Sequence, residues 1–195
     1  MKEYKTVSIH QPSFFPWYPF FQKIINADIF VFLTHCQFEK NGYQNRFNID
    51  KKWHTMSTKR GLDLIMNKVY LNPEHDWKKI KKSLKKDYGL DLLREFDNCI
   101  TSSLPETNIK IIEKICCFLD IKTSLLVDKS TTFKGTERLV DICLNQKGCT
   151  HYFSGVSGKN YLDTKLFKKE NIDILYQKEK SMIKKPILDI LKAEY

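Results

Sequence analysis

The sequence predicts an α/β protein: a layered domain with a mostly parallel central sheet, an inserted β-hairpin region and a helical segment. Ile29 to Leu33 is an apolar run without alternation, which is typical of a strand covered on both faces in a parallel sheet. The predicted elements also run in the order βαβ, hairpin and strands, helices, then βαβαβ and a helix. That order is typical of a layered α/β domain.

The opening segment, residues 7–33, predicts a strand, a helix and a second strand. Val7 and Ile9 belong to the first strand, and Pro16 and Pro19 stiffen the first turn of the helix, where a proline is tolerated. Helical spacing places five apolar residues on one face of this helix: Trp17, Phe20, Phe21, Ile24 and Ile25.

His10 and Gln11 follow the first predicted strand. Ligands of parallel sheets usually bind at the carboxyl ends of strands, opposite helix N-termini. Pro12 restricts Gln11 to an extended backbone. His10 is therefore either a general base, an electrophile kept neutral by the helix dipole, or a partly buried histidine bonded to a neighbouring carbonyl.

The hairpin region is predicted around the Asn41-Gly42 step, which favours a tight turn between residues 37–39 and residues 43–49. Asn45 and Arg46 lie on its return strand. An arginine beside an amide suits a phosphate or a carboxylate, so we expect Arg46 to bind substrate.

The rest of the chain alternates predicted helices and strands. Strands are expected at residues 52–59, 64–71, 124–127, 151–153 and 172–176, and helices at 75–89, 90–100, 108–119, from a Thr136 cap, from about 160 and within 183–195. The loop of small residues at 154–158 contains Ser154, Gly155 and Gly158. Such a loop between strand and helix presents N–H groups to a phosphate or forms a plain tight turn.

Composition indicates one globular domain, residues 1–195, without a signal peptide or an apolar run long enough to cross a bilayer, and so a cytoplasmic protein. The six cysteines show no metal-ligand or disulfide spacing, and no metal is expected. The net charge is +10, but the excess comes from lysine, which favours an anionic small molecule over nucleic acid. The oligomeric state is left open.

Six sequence blocks resemble the WbqC-like family of bacterial proteins. They are IHQPSFFPW (9–17), K-I-x-x-A-D-x-F-V (23–31), QFEKNGYQNR (37–46), T-E-R-L (136–139), Y-F-S-G-x-x-G-x-x-Y-L (152–162) and P-I-L-D-I-L (186–191).

The resemblance implies an enzyme of O-antigen or other surface polysaccharide assembly, with a nucleotide-linked amino sugar as acceptor. The cofactor is unknown, and an activated acyl donor is one candidate. It carries a catalytic role to His10 and Gln11 and substrate binding to five further positions of this chain: Asn45, Arg46, Ser154, Gly155 and Gly158. Trp17, which ends the first block, is added as a sixth substrate-binding candidate.

One position differs from the family pattern. Many members have two acidic residues before the Gln-Phe pair, where this chain has Thr34, His35 and Cys36. His35 is therefore a third catalytic candidate, as a substitute proton-transfer group.

The leading hypothesis is an acyl or aminoacyl transferase, with His10 as the base. A nucleotidyltransferase-like enzyme is the second, since the opening strand, histidine and helix are similar to that superfamily, although only one histidine of its usual His-x-Gly-His pair is present. A binding protein for a sugar nucleotide or RNA, using the lysine-rich helix, is the non-enzymatic alternative.

Overall fold

The structure is a computed structural model that describes residues 5–61, 63–128 and 132–194. Its strands are β1 Lys5–His10, β2 Ile29–Phe32, β3 Arg46–Ile49, β4 Lys52–Thr55, β5 Ser124–Val127, β6 Cys149–Ser154 and β7 Asp173–Tyr176. Its helices are α1 Tyr18–Ile25, α2 Pro73–Tyr88, α3 Leu90–Arg94, α4 Leu104–Phe118, α5 Gly135–Leu144, α6 Thr164–Lys169 and α7 Ile187–Glu194.

The chain divides into two compact units. The first comprises Met1–His10, Pro19–Leu33 and Ile121–Ile183, and the second comprises Gln11–Tyr18, Thr34–Asp120 and Lys184–Tyr195. The assignment of residues 1–195 to one domain stays a prediction.

The first unit is built on a five-stranded sheet in the order β5-β2-β1-β6-β7, and every pairing in it is parallel. From β1 the chain adds β2 and β5 on one side, then returns to add β6 and β7 on the other side. This is the order of a doubly wound sheet, in which the direction of winding changes between β1 and β6. The predicted α/β class is confirmed.

The sheet of the first unit has a hydrophobic core on each of its faces. On one face, Phe20 of α1 packs edge-on against Phe30 of β2, with ring centroids 5.3 Å apart. The other face contributes the cluster Val7, Ile9, Ile29, Val31, Val140, Ile142, Cys143, Tyr152, Phe167 and Ile172. Every residue of β2 is apolar and buried, as the sequence pattern predicts for a strand that is covered on both faces.

A buried ion pair closes the end of β5 onto α5. The Arg138 guanidinium donates from Nε and Nη2 to Oδ2 of Asp128, with a distance of 2.9 Å for the Nε bond. Both side chains are at least nine-tenths buried. The backbone N–H of Asp128 donates to the carbonyl of Phe32, so the pair also fixes the end of β2.

The second unit combines a two-stranded antiparallel sheet, β3-β4, with α2, α3, α4 and α7. The predicted hairpin region is present, but its partners are different: Arg46 pairs with Thr55, and Asp50 and Lys51, both at positive φ, make the turn. The Asn41-Gly42 step does turn the chain, with a bond from Gly42 N–H to the Glu39 carbonyl. The strand after this step pairs with β4, which follows it, and not with residues 37–39. The turn that closes the hairpin is the two-residue step Asp50-Lys51, which contains no glycine.

Aromatic rings fill the core of the second unit. Phe15 stacks on Trp77 at 5.5 Å and meets Phe96 edge-on at 4.9 Å. Phe15 holds a φ of 43°, an unusual value for a bulky residue, which indicates that this packing offsets the strain. The pair Phe14-Phe15 in residues 9–17 thus packs in the core of this unit.

Three helix starts differ from the predicted ones. The helix expected from Asn108 begins at Leu104, because Ser103 caps it and Pro105 occupies its first turn instead of breaking it. The Thr136 side chain does not cap α5; its hydroxyl accepts the N–H of Asp163. The helix expected from about residue 160 is a 3₁₀ turn, Val156–Asn160, followed by α6.

Removing one partner of the buried ion pair leaves an uncompensated charge, so we expect Arg138→Met to lower the free energy of unfolding by about 3–5 kcal/mol in urea denaturation. The exposed Arg94, which pairs with Asp91 on the surface, gives a matched control. Arg94→Met should cost at most about 1 kcal/mol. Equal losses in the two variants would contradict the role of Asp128–Arg138.

Candidate functional site

The candidate site lies at the carboxyl edge of the first unit's sheet, where the winding direction changes. β1 ends at His10 and β6 ends at Ser154. The register pairs Ser8 with Phe153, so continuing along both strands brings His10 beside Gly155. His10 is exposed, and the edge of its ring packs against Phe20, with centroids 5.1 Å apart. The backbone of an exposed histidine therefore lies next to the small-residue loop.

Lys23, on α1, is a buried lysine at this edge. Its side chain is 5 % exposed, and its Nζ donates to the carbonyl of Ile9, 3.0 Å away, one residue before His10. Its Cδ lies 3.9 Å from the point where a Cβ on Gly155 would be. Burial lowers the pKa of Lys23 to about 7, since the charged ammonium is poorly solvated there. The edge thus carries an exposed imidazole and a buried amine whose pKa is lowered to about 7.

The loop after β6 is a tight 3₁₀ turn, Val156–Asn160, and not an open phosphate loop. The N–H of Gly158 donates to the carbonyl of Gly155. Ser154 lies beneath the turn, fully buried, and its Oγ is 2.0 Å from the point where a Cβ on Gly158 would be. Gly158 is therefore needed for the close approach of the serine, which is a packing role.

Two tyrosines lie near the same serine in the sequence. Tyr152 stacks on Phe167 at 5.0 Å, and the Ser154 hydroxyl donates to the carbonyl of Gly155 at 3.2 Å. Burial raises the pKa of both phenols, so each stays protonated at neutral pH and is available as a donor. Tyr161 is 64 % exposed, which puts part of one phenol in solvent.

The other predicted site residues belong to the second unit. The Gln11 Oε1 accepts from Gln44 Nε2 at 2.7 Å, and Asn45 Nδ2 donates to the Met56 carbonyl at 2.8 Å. Arg46 donates from Nε to the Gly42 carbonyl at 3.2 Å and from Nη2 to the Asn41 carbonyl. These three polar side chains hold the second unit's own backbone and side chains together.

Trp17 and His35 have different surroundings within the second unit. Trp17 is 48 % exposed, so it is outside the core predicted for its helical stripe. His35 is half-buried, and among the described residues its Nδ1 is a buried nitrogen without a hydrogen-bond partner. Such an atom is costly unless something binds it.

The first unit therefore brings together four of the predicted residues: His10, Ser154, Gly155 and Gly158. It adds Lys23, whose burial the sequence analysis missed. The signal was available, because Lys23 follows Phe20 by three residues and so lies on the apolar face of α1. Burying the charged group of a lysine on such a face costs folding free energy, so a lysine there indicates a role other than packing.

No metal centre or membrane span is found in the described part of the chain. Over residues 5–61, 63–128 and 132–194, no three His, Cys, Asp or Glu side chains are placed to hold a metal ion. In the same ranges no helix is long and apolar enough to cross a bilayer.

The fold and the side chains at the carboxyl edge of the sheet define the class of protein. It is an α/β protein with a doubly wound parallel sheet and titratable groups at the switch point. The sequence matches the WbqC-like protein family over residues 11–185, which is most of its length. The chain belongs to the WbqC-like protein family.

A protein of Mycobacterium tuberculosis is also similar to this chain. It is "Uncharacterized protein Rv1507c" of Mycobacterium tuberculosis, 26% identical over 196 residues that cover 88% of this chain and 81% of the relative. No solved structure matches the chain.

Adding a methyl group at Gly158 forces it into the buried Ser154 hydroxyl, so we expect Gly158→Ala to lower the free energy of unfolding by about 1–3 kcal/mol. Gly155→Ala is the matched control, because its nearest neighbour would be at 3.9 Å and its φ of −66° suits alanine. Thermal and urea melts of both variants test this. A loss at Gly155→Ala as large as at Gly158→Ala would contradict it.

The low pKa of Lys23 predicts a specific pH dependence of stability. In the unfolded chain this lysine titrates near 10.5 and in the folded protein near 7, so the unfolded state binds more protons between these values. Stability of the wild type should therefore rise with pH across this window, by an amount on the order of 4 kcal/mol from Lys23 alone. Lys23→Met should remove that rise.

The measurement is urea denaturation of the wild type and Lys23→Met at pH values from 6 to 10. The exposed Lys165 on α6 supplies the control, since Lys165→Met should leave the pH dependence of the wild type unchanged. Parallel curves for the wild type and Lys23→Met would show that Lys23 is not buried as described.

Proposed function

We propose that this protein is a transferase that attaches an acyl or aminoacyl group of the glycine type to the amine of a nucleotide-linked amino sugar, in the assembly of a bacterial surface polysaccharide such as O-antigen. The observation that carries the proposal is that, at the switch point of the sheet, an exposed His10 directly follows Ile9, whose carbonyl binds the buried amine of Lys23.

The location supports a nucleotide-linked substrate. In open doubly wound sheets, nucleotides bind in the crevice at the carboxyl ends of the strands where the winding changes. In this chain, that edge carries Lys23 and, beside it, the loop after β6. A diphosphate at this edge would favour the charged ammonium of Lys23, which offsets the cost of its burial. Binding would thus be coupled to the uptake of a proton.

His10 supplies the chemistry. A protonated sugar amine is not a nucleophile, so it must first lose one proton, which His10 accepts and releases to solvent. The amine nitrogen then forms a bond to the carbonyl carbon of the acyl donor and gives its second proton to His10, as the bond from that carbon to the leaving group breaks. His10 passes this second proton to the leaving group. The acyl donor is a co-substrate, so the proposal includes no resident cofactor.

Nucleotidyl transfer is the second candidate, and the order of the sheet favours it. A histidine at the end of the first strand, followed by a helix, occupies the switch point in a sheet whose strands, numbered among themselves, run 3-2-1-4-5. In that reaction His10 would stabilise the phosphate undergoing transfer. This is an argument from fold and position alone, so it ranks second.

His10→Ala should abolish turnover, with a loss of at least about 100-fold in rate, because it removes the proton acceptor. A thermal-shift panel of nucleotide sugars and acyl donors first identifies a binding pair, and mass spectrometry then detects the acylated sugar. His75→Ala, an exposed histidine of α2, is the matched control and should retain full activity.

Three outcomes would change the proposal. Full activity of His10→Ala would exclude His10 as the base. Incorporation of a labelled nucleoside triphosphate would favour nucleotidyl transfer. Stabilisation by a nucleotide sugar without product from any donor or triphosphate would favour a binding protein.

A further inference from the structure

One face of α2 carries a dense row of lysines that the proposed function does not use. We define the lysine face as the five exposed lysines of this helix, and it belongs wholly to the second unit. From residue 78 to residue 86, every exposed side chain of α2 is one of them: Lys78, Lys79, Lys82, Lys85 and Lys86. The lysine face therefore contains no arginine and no amide side chain.

Helical spacing makes these lysines one continuous surface. An α-helix turns by about 100° per residue, so the five positions fall within an arc of about 120° and along about 12 Å of the helix axis. Neighbours along the face are three or four residues apart, as in the row Lys78, Lys82 and Lys86. The opposite side of α2 is buried: Trp77, Ile80, Leu84 and Tyr88. The five lysines are thus exposed together on the side away from the core.

The fold does not neutralise the charge of the lysine face. Lys81, which lies outside the face, pairs with Asp97 at 2.5 Å, and Lys114 of α4 pairs with Glu95 at 2.8 Å. Over residues 5–61, 63–128 and 132–194, none of the five lysines of the face makes such an ion pair. The lysine face is therefore a concentrated positive charge that is open to solvent.

This row of charge is unfavourable for the helix itself. Lys82 has a like charge four residues away in both directions, at Lys78 and at Lys86, and such pairs weaken a helix. The exposed acids of α2 lie outside the row, since Glu74 is one turn before it and Asp87 is on another side of the helix. Like charges that weaken their own helix indicate a role in binding an anionic partner.

We propose that the lysine face docks on the surface of a membrane that contains anionic phospholipid. A cluster of about four to eight basic residues on an amphipathic helix is typical of proteins that bind such a surface. Each lysine near the membrane strengthens binding by about fivefold at low salt. The partner of the lysine face is thus the layer of lipid phosphates.

The shape and composition of the face favour a bilayer over nucleic acid. A straight helix touches a flat surface along its whole length, so all five lysines reach the phosphates of a bilayer together. The phosphates of a duplex wind around a cylinder instead. Proteins that read bases add arginine, amide or aromatic side chains, and the exposed side chains of residues 78–86 include none of these.

The docking rests on charge alone. The apolar stripe of α2 is already buried in the second unit, so it does not insert into lipid. Binding is therefore peripheral and is reversed by salt, which screens the attraction. His10 and Lys23 belong to the first unit, so the docking does not depend on the proposed function.

The test is co-sedimentation of the full chain with vesicles of phosphatidylcholine alone and with vesicles in which about one-third of the lipid is phosphatidylglycerol. The chain should sediment only with the anionic vesicles. Its affinity should fall at least about tenfold as salt rises from about 0.1 M to about 0.5 M, because the Debye length shortens. Equal binding to both kinds of vesicle, or binding that salt leaves unchanged, would overturn the proposal.

A triple variant tests the assignment to α2. Changing Lys78, Lys82 and Lys86 to Gln should weaken binding to the anionic vesicles at least about 20-fold at low salt. The control changes three exposed lysines of α6 to Gln, removes the same charge and should bind within about twofold of the wild type: Lys165, Lys168 and Lys169. Equal losses in the two variants would show that net charge alone attracts the protein, and would overturn the proposal.

A measurement on the wild type does not depend on how the variants fold. Anionic vesicles should protect Lys79, Lys82 and Lys86 from acetylation by a water-soluble reagent, read by mass spectrometry, and should leave Lys165 as reactive as in the free chain. Protection of Lys165 without protection of α2 would contradict the docking geometry. Tighter binding to a DNA or RNA duplex than to the anionic vesicles at the same salt concentration would also overturn the proposal.

Discussion

The position of β1 in the middle of the sheet is the constraint on which the candidate site depends. β1 pairs with β2 on one side and with β6 on the other, both in parallel. This arrangement brings the ends of β1 and β6 to one edge and leaves the carbonyl of Ile9 there as the acceptor for Lys23. His10 follows directly. Strand pairing, rather than any local motif, therefore assembles the groups that could act on a substrate.

The burial of Lys23 is costly for the fold, and its chemistry gives a reason to retain it. A methionine or leucine at this position of α1 would not require a charged group to be buried. The single described hydrogen bond, to a backbone carbonyl, does not replace the hydration of an ammonium group. A residue that weakens the fold at the carboxyl edge of a doubly wound sheet is typical of a functional position.

The sequence predicted the class of fold because apolar runs such as Ile29 to Leu33 report burial on both faces. It also placed His10 and Ser154 at strand ends. It did not predict that Gln11, Asn45 and Arg46 hold the second unit together, since polar residues that bond to backbone look the same in sequence as those that bind ligands. Nor did it predict the hairpin turn at Asp50 and Lys51, where pairing overrides the weak turn preference of lysine. Stacking of Arg46 on Trp53 is a tertiary contact that residue spacing does not encode.

The division of the chain between two units has a consequence for synthesis. The largest segment of the second unit, Thr34–Asp120, is made before β5, β6 and β7, so the hairpin and α2 to α4 can fold while β1 still lacks one of its neighbours. During that interval the nascent chain carries two apolar strands with open edges, which are prone to aggregation. Neither unit is encoded by a continuous stretch of gene, so neither can be produced by simple truncation. The protein must be expressed, and selected in evolution, as a whole.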